Sequence, residues 1–105
     1  MQTRITARHF EATVGLRSHV ARSLDKLERY VDRAHDAHVI LHDGTASNGK
    51  RAEIALNASR QTFTSAFAAP TLEAAIDGCV RQLRRQATRH KDRRRRRDLP
   101  EEAEA

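Results

Sequence analysis

The period of the apolar residues changes along the chain, and this change constrains the fold more than any other feature. Leu16, Val20, Leu24, Leu27 and Val31 recur at spacings of four, four, three and four, which draws one stripe down a helix and cannot line one face of a strand. A second such stripe runs through Leu72, Ile76, Cys79, Val80, Leu83 and Ala87. Between them the period drops to two. Residues 37–42, 51–58 and 61–69 read as strands, with Ala52, Ile54, Leu56 and Ala58 sharing one face and Phe63, Ser65 and Phe67 another. Residues 2–8 alternate in the same way, with Thr3, Ile5 and Ala7 on one side, and predict an opening strand. Thr13 is placed to cap the first helix and Thr71, just after Pro70, the second. The second helix is expected to continue past His90 and fray within the arginine run.

The predicted order is β-α-β-β-β-α. A helical crossover makes the first two strands parallel, and the polar connection 43–50, with its two glycines, suits a hairpin that continues as an antiparallel meander. Two apolar stripes and a sheet with one apolar face can bury each other in a single α+β two-layer sandwich. This is a four-stranded mixed sheet with both helices on one face. A chain of 105 residues is too short for two cores. One domain is therefore expected over residues 1–97, followed by a disordered acidic tail over 98–105. With one Tyr, three Phe and no Trp, the core must be aliphatic, and a large ligand cavity is not expected. No apolar run approaches the roughly 20 residues of a membrane-spanning helix. A lone cysteine rules out an internal disulfide, and a cytoplasmic protein with no membrane partner is expected.

Charge is distributed unevenly. Residues 1–80 are nearly neutral, residues 81–97 carry ten Lys and Arg against Asp92 alone, and residues 98–105 are acidic. An unneutralised block of cations repels itself until an anion arrives, so a polyanion is the expected partner, and nucleic acid is the commonest soluble one. Wound as a helix, Arg22, Lys26, Arg29 and Arg33 fall within about 60° of one another, opposite the core stripe. Pairs such as Asp25 with Arg29 could instead lace this face. Arg81, Arg84, Arg85 and Arg89 lie away from the second apolar stripe. With both helices on one face of the sheet, the two basic flanks can join into one surface. No aromatic RNA-binding motif, Gly-x-x-Gly clamp or Cys/His finger accompanies them, so backbone and shape recognition are expected over base reading.

Other motifs favour plainer readings. Gly44 to Lys50 fits the start of a P-loop, but Arg51 stands where a hydroxyl should hold magnesium, and the segment joins two strands. It is read as a hairpin loop. His38 and His42 on one strand lie about 13 Å apart, too far to share an ion, so no metal and no cofactor are expected. No acid/base pair can be placed in a common pocket, so neither catalysis nor a small-molecule substrate is expected. Cys79 reads as a core residue, and Tyr30 as part of the packing between helix and sheet.

Taken together, these residues resemble the short ribosome hibernation promoting factors, the family that also contains the ribosome-associated translation inhibitor. The resemblance covers residues 1–93. It rests on Met1-Gln2 with Ile5-Thr6, Glu11 and Thr13 before Leu16-Arg17, and Lys26-Leu27-Glu28 with Tyr30. It continues through Ala74-Ala75-Ile76-Asp77 into Leu83, Arg85-Gln86, Thr88 and His90-Lys91-Asp92. The resemblance implies a bacterial stationary-phase or stress protein that occupies the mRNA and tRNA channel of the small ribosomal subunit and so silences translation. It also implies rRNA contacts at Arg17, Lys26, Arg33, Arg85, Arg89 and Lys91. Arg22, Arg29, Arg81 and Arg84 rest on the helical-wheel argument alone. Gln82 stands where the family often has Lys, while Arg81 and Arg84 replace non-basic residues. The alternative is a general RNA- or DNA-binding protein acting off the ribosome. Whether such a chain pairs ribosomes or silences single ones is left open by these residues.

Overall fold

The computed structural model describes residues 1–44, 49–58 and 61–98, with side chains described as far as Arg93. The alternating segments form β1 (Gln2–Arg8), β2 (Asp36–Asp43), β3 (Lys50–Asn57) and β4 (Thr62–Ala69), and the two stripes form α1 (Val14–Glu28) and α2 (Leu72–Asp98). The sheet runs β1-β2-β3-β4, with β1 parallel to β2 and the other pairs antiparallel. This is the topology that one helical crossover and two short loops demand.

The register places Ala37, Val39 and Leu41 opposite Leu56, Ile54 and Ala52, all at most 2% exposed. Their alternates His38, Ile40, Glu53 and Ala55 are only half-buried, so the sheet has one core face. Leu16, Val20, Leu24 and Leu27 of α1 and Ile76, Cys79, Leu83 and Ala87 of α2 join the same apolar cluster. Both helices therefore cover that face. A fully buried aliphatic side chain stabilises by about 1.5–3 kcal/mol, against about 0–1 kcal/mol for an exposed ion pair. The cluster holds this fold, and the surface pairs add little.

Local chemistry sets the helix starts. Thr13 Oγ1 accepts from the Leu16 N–H at 3.1 Å, and Thr71 Oγ1 accepts from the Ala74 N–H at 3.1 Å, so each helix gains a partner for an otherwise orphaned donor.

Two expectations about the helix ends are corrected. α1 stops at Glu28 with Arg29 as its C-cap. The N–H groups of Arg29, Tyr30 and Val31 turn to carbonyls three residues back, at 3.3, 2.9 and 3.3 Å, which tightens the last turn. Val31 stays buried, but Arg33 adopts φ 53° in the turn and leaves the helical wheel on which it was placed. α2, expected to fray within the arginines, is helical through Asp98. Arginine is among the better helix formers, and no Gly or Pro occurs between Gly78 and Pro100. The tail beyond Asp98 lies outside the described residues.

The β2–β3 connection closes as a hairpin. The Gly44 N–H donates to Gly49 O at 3.0 Å, and Lys50 Nζ bonds both the Asp43 carboxylate and Gly44 O. The lysine of the P-loop-like stretch is thus committed to its own loop, while residues 45–48 of that stretch lie outside the described residues.

Candidate nucleic-acid interface

The two apolar stripes seat α1 and α2 on the sheet as neighbours, and polar residues flanking the stripes meet between them. His19 Nε2 lies 2.8 Å from Asp77 Oδ1, the Arg84 guanidinium sits over the Tyr30 ring 4.1 Å from its centroid, and Lys91 Nζ lies 3.6 Å from Asp32 Oδ1. Between the helices runs an open groove of ≈ 260 Å³, walled by Ser23, Lys26, Leu27 and Tyr30 on one side and Asp77, Val80, Arg81 and Arg84 on the other.

The candidate cations divide around this groove. Lys26, Arg81 and Arg84 line it. On α1, Arg22 and Arg29 are exposed and fall within about 60° of Lys26 at 3.6 residues per turn. On α2, Arg85 is exposed next to Arg84, and Arg89 is exposed about 40° further round. That side leans towards β4, where Gln86 Nε2 donates to Thr64 O at 2.8 Å. Arg17 stands on the opposite flank of α1, about 160° from His19 and in line with Glu28. Glu28 Oε1 lies 3.5 Å from the Met1 amino group. The structure therefore does not bring Arg17, Arg33 or Lys91 into the lining of the groove, and Lys91 is paired with Asp32.

Among the described residues, no carboxylate lies within 4.0 Å of Arg22, Lys26, Arg29, Arg81, Arg84, Arg85 or Arg89. The Asp25–Arg29 pair is not formed, consistent with the small energy of an exposed i,i+4 contact. Asp77, the carboxylate in the groove, spends Oδ1 on His19. An anion arriving here meets cations that have no carboxylate partner among the described residues, although Arg84 lies over the Tyr30 ring and Arg81 lies 6.0 Å from the centroid of the Phe67 ring. An arginine cluster of this kind suits phosphate oxygens.

Tyr30 corrects another expectation. It does not complete the packing between helix and sheet. At 37% exposed, it stacks on an arginine of the neighbouring helix. The signal was present but unread: His19, Ser23, Lys26 and Tyr30 repeat at four, three and four, a polar stripe running beside the apolar one.

The remaining candidates have local partners. His38 Nε2 bonds Thr6 Oγ1 at 2.8 Å, and His42 Nε2 lies 4.0 Å from Glu53 Oε1. Cys79 is fully buried, and its thiol bonds Ala52 O at 3.1 Å. Among the described residues no helix is long and apolar enough to cross a membrane.

Known proteins are similar to this chain over most of its length. The family of sigma 54 modulation proteins and S30EA ribosomal proteins matches residues 3–95. The ribosome hibernation promoting factor of Escherichia coli strain K12 is 34% identical over 92 residues, covering 88% of this chain and 95% of that protein. The Thermus thermophilus Protein Y N-terminal domain superposes with a TM-score of 0.75 at 31% identity, over 86% of this chain and 99% of that one. A ribosomal subunit interface protein from Coxiella burnetii shares the fold with a TM-score of 0.74 at 16% identity, over 88% of this chain and 99% of that one.

Proposed function

The chain belongs to the family of sigma 54 modulation proteins and S30EA ribosomal proteins, and on that premise we propose that it is a non-catalytic ribosome hibernation factor. It binds rRNA of the small subunit in the mRNA and tRNA channel through the outward sides of α1 and α2. It acts in the bacterial cytoplasm in stress or stationary phase and is monomeric off the ribosome. The observation that carries this reading is the set of exposed cations on two adjacent helices without carboxylate partners among the described residues. The relative named as a ribosome hibernation promoting factor, aligned over 88% of this chain, supports the biological role.

Mechanistically, the protein works by occupancy. A rigid apolar core holds the two helices at fixed spacing, so their cations meet an RNA surface with little rearrangement, and bound protein excludes other ligands from that space. Binding energy comes largely from counterions released from phosphates. Contacts to the phosphates position the protein without reading sequence.

Sedimentation through a gradient with purified small subunits tests the proposal. The wild-type protein should travel with the subunits. Replacing Arg85 and Arg89 by Glu should leave the protein at the top. Unchanged co-sedimentation of the double variant would reject this face, and equal affinity of the wild-type protein for ribosomes and for unrelated duplexes would favour a general nucleic-acid binder.

A further inference from the structure

We propose that the groove between α1 and α2 holds one unstacked RNA nucleotide, its base against the Tyr30–Arg84 stack and its phosphate between Lys26 and Arg81. The proposal rests on reading the two-helix face as an RNA surface and adds what that surface takes hold of.

The groove has the four attributes that a single nucleotide needs. Its volume, ≈ 260 Å³, lies below the roughly 300–1,000 Å³ of pockets that enclose a drug-sized ligand, which suits one base with its sugar and phosphate at the open mouth. Its floor is apolar, made by Leu27 and Val80. Its mouth carries a planar guanidinium laid over an aromatic ring, and unpaired bases stack on both kinds of surface. Lys26 and Arg81 line the same groove and supply charge for the phosphate, Arg81 through a guanidinium that in the free protein lies 6.0 Å from the centroid of the Phe67 ring.

Pairing with Tyr30 also fixes Arg84. An exposed arginine normally samples many rotamers, and ordering it on a partner opposes binding. Here the guanidinium plane is already oriented by the ring, so a base meets a preformed platform. Asp77 is turned to His19 at 2.8 Å across the two helix walls and makes no ion pair with Arg84.

Charge and stacking predict opposite preferences, and this separates them. A surface that works by charge alone favours duplex RNA, which carries more phosphates per unit length and releases more counterions on binding. A stacking groove favours a single strand, because only an unpaired base can leave its neighbours and lay its face on an aromatic or guanidinium plane.

The protein carries its own reporter: Tyr30 is the only tyrosine, and there is no tryptophan. The test titrates a ten-nucleotide mixed-sequence RNA, single-stranded or annealed to its complement, into the full chain and follows absorbance-corrected tyrosine emission together with affinity by anisotropy of labelled RNA. The single strand should bind about tenfold more tightly and quench the emission, while the duplex should leave it unchanged. Arg84→Lys keeps the charge and loses the plane, so the single-strand preference should fall about tenfold and the quench should disappear. Tyr30→Leu, at an exposed position, should lose the same preference in the anisotropy assay. Equal affinity for the two RNAs with no quench, or an Arg84→Lys variant that behaves like wild type, would overturn the groove and leave the RNA surface standing. Failure to bind either RNA would overturn both.

Discussion

At the scale of single residues, Cys79 illustrates how burial decides chemistry. Its side chain is sealed beneath α2 and its sulfur donates to Ala52 O, so removal from water pushes its thiol above the ordinary value. The sign of the consequence follows from linkage. Below the free-thiol value of about 8.5, folded and unfolded chains both keep the proton and the group contributes no pH dependence. Above it the unfolded chain ionises first, and stability falls as pH climbs towards the folded value. Urea midpoints measured from pH 8 to pH 10 should therefore drop more steeply for the wild-type protein than for Cys79→Ala. Parallel slopes would show that the thiol titrates alike in both states. The thiol should also resist alkylation until the protein unfolds, since the thiolate is the reactive form.

At the scale of elements, the crossing of α2 over β4 depends on a missing side chain. A Cβ at Gly78 would stand 2.2 Å from Phe67 Cδ1, so the absence of one lets helix and strand approach. Alanine is about 1 kcal/mol better than glycine within a helix, but overpacking a well-filled core costs about 1–3 kcal/mol. Gly78→Ala should thus be destabilising by up to about 2 kcal/mol in urea unfolding. Adding Phe67→Ala should cancel the clash, so the double variant should be more stable than the sum of the two single effects predicts. Strict additivity would mean that the ring and the new methyl do not meet. The same crossing sets which sides of α2 remain outward, and hence where Arg81, Arg84 and Arg85 stand.

At the scale of the whole molecule, an apolar core carries a basic outer layer and the chain has a net charge of +6. If phosphate contacts supply the affinity, the logarithm of the RNA-binding constant should fall linearly with the logarithm of salt concentration. Its slope should be about −0.7 to −0.9 per phosphate neutralised. Replacing Arg85 by Ala should reduce the magnitude of that slope by about 1. A binding constant indifferent to salt would argue for a partner other than a polyphosphate.

Along this chain, periodicity and connection length determined the order of elements, the parallel first pair, the shared face of the helices and most core positions, Leu16 to Val31 and Ile76, Cys79, Leu83 and Ala87 among them, while Leu72 and Val80 of the second stripe are only partly buried. Side-chain direction within a helix or strand follows from local backbone geometry, so spacing encodes it directly. The grouping of the cations was legible only in outline. The helical wheel alone sets Arg17 about 180° from Lys26, but nothing local says which flank of α1 looks at α2 or that the helix ends before Arg33, so neither residue could be excluded from the interface, nor Tyr30 matched with Arg84 or His19 with Asp77. Those contacts join residues up to 58 positions apart, and the angle at which two helices settle on a sheet is decided by packing across the whole core.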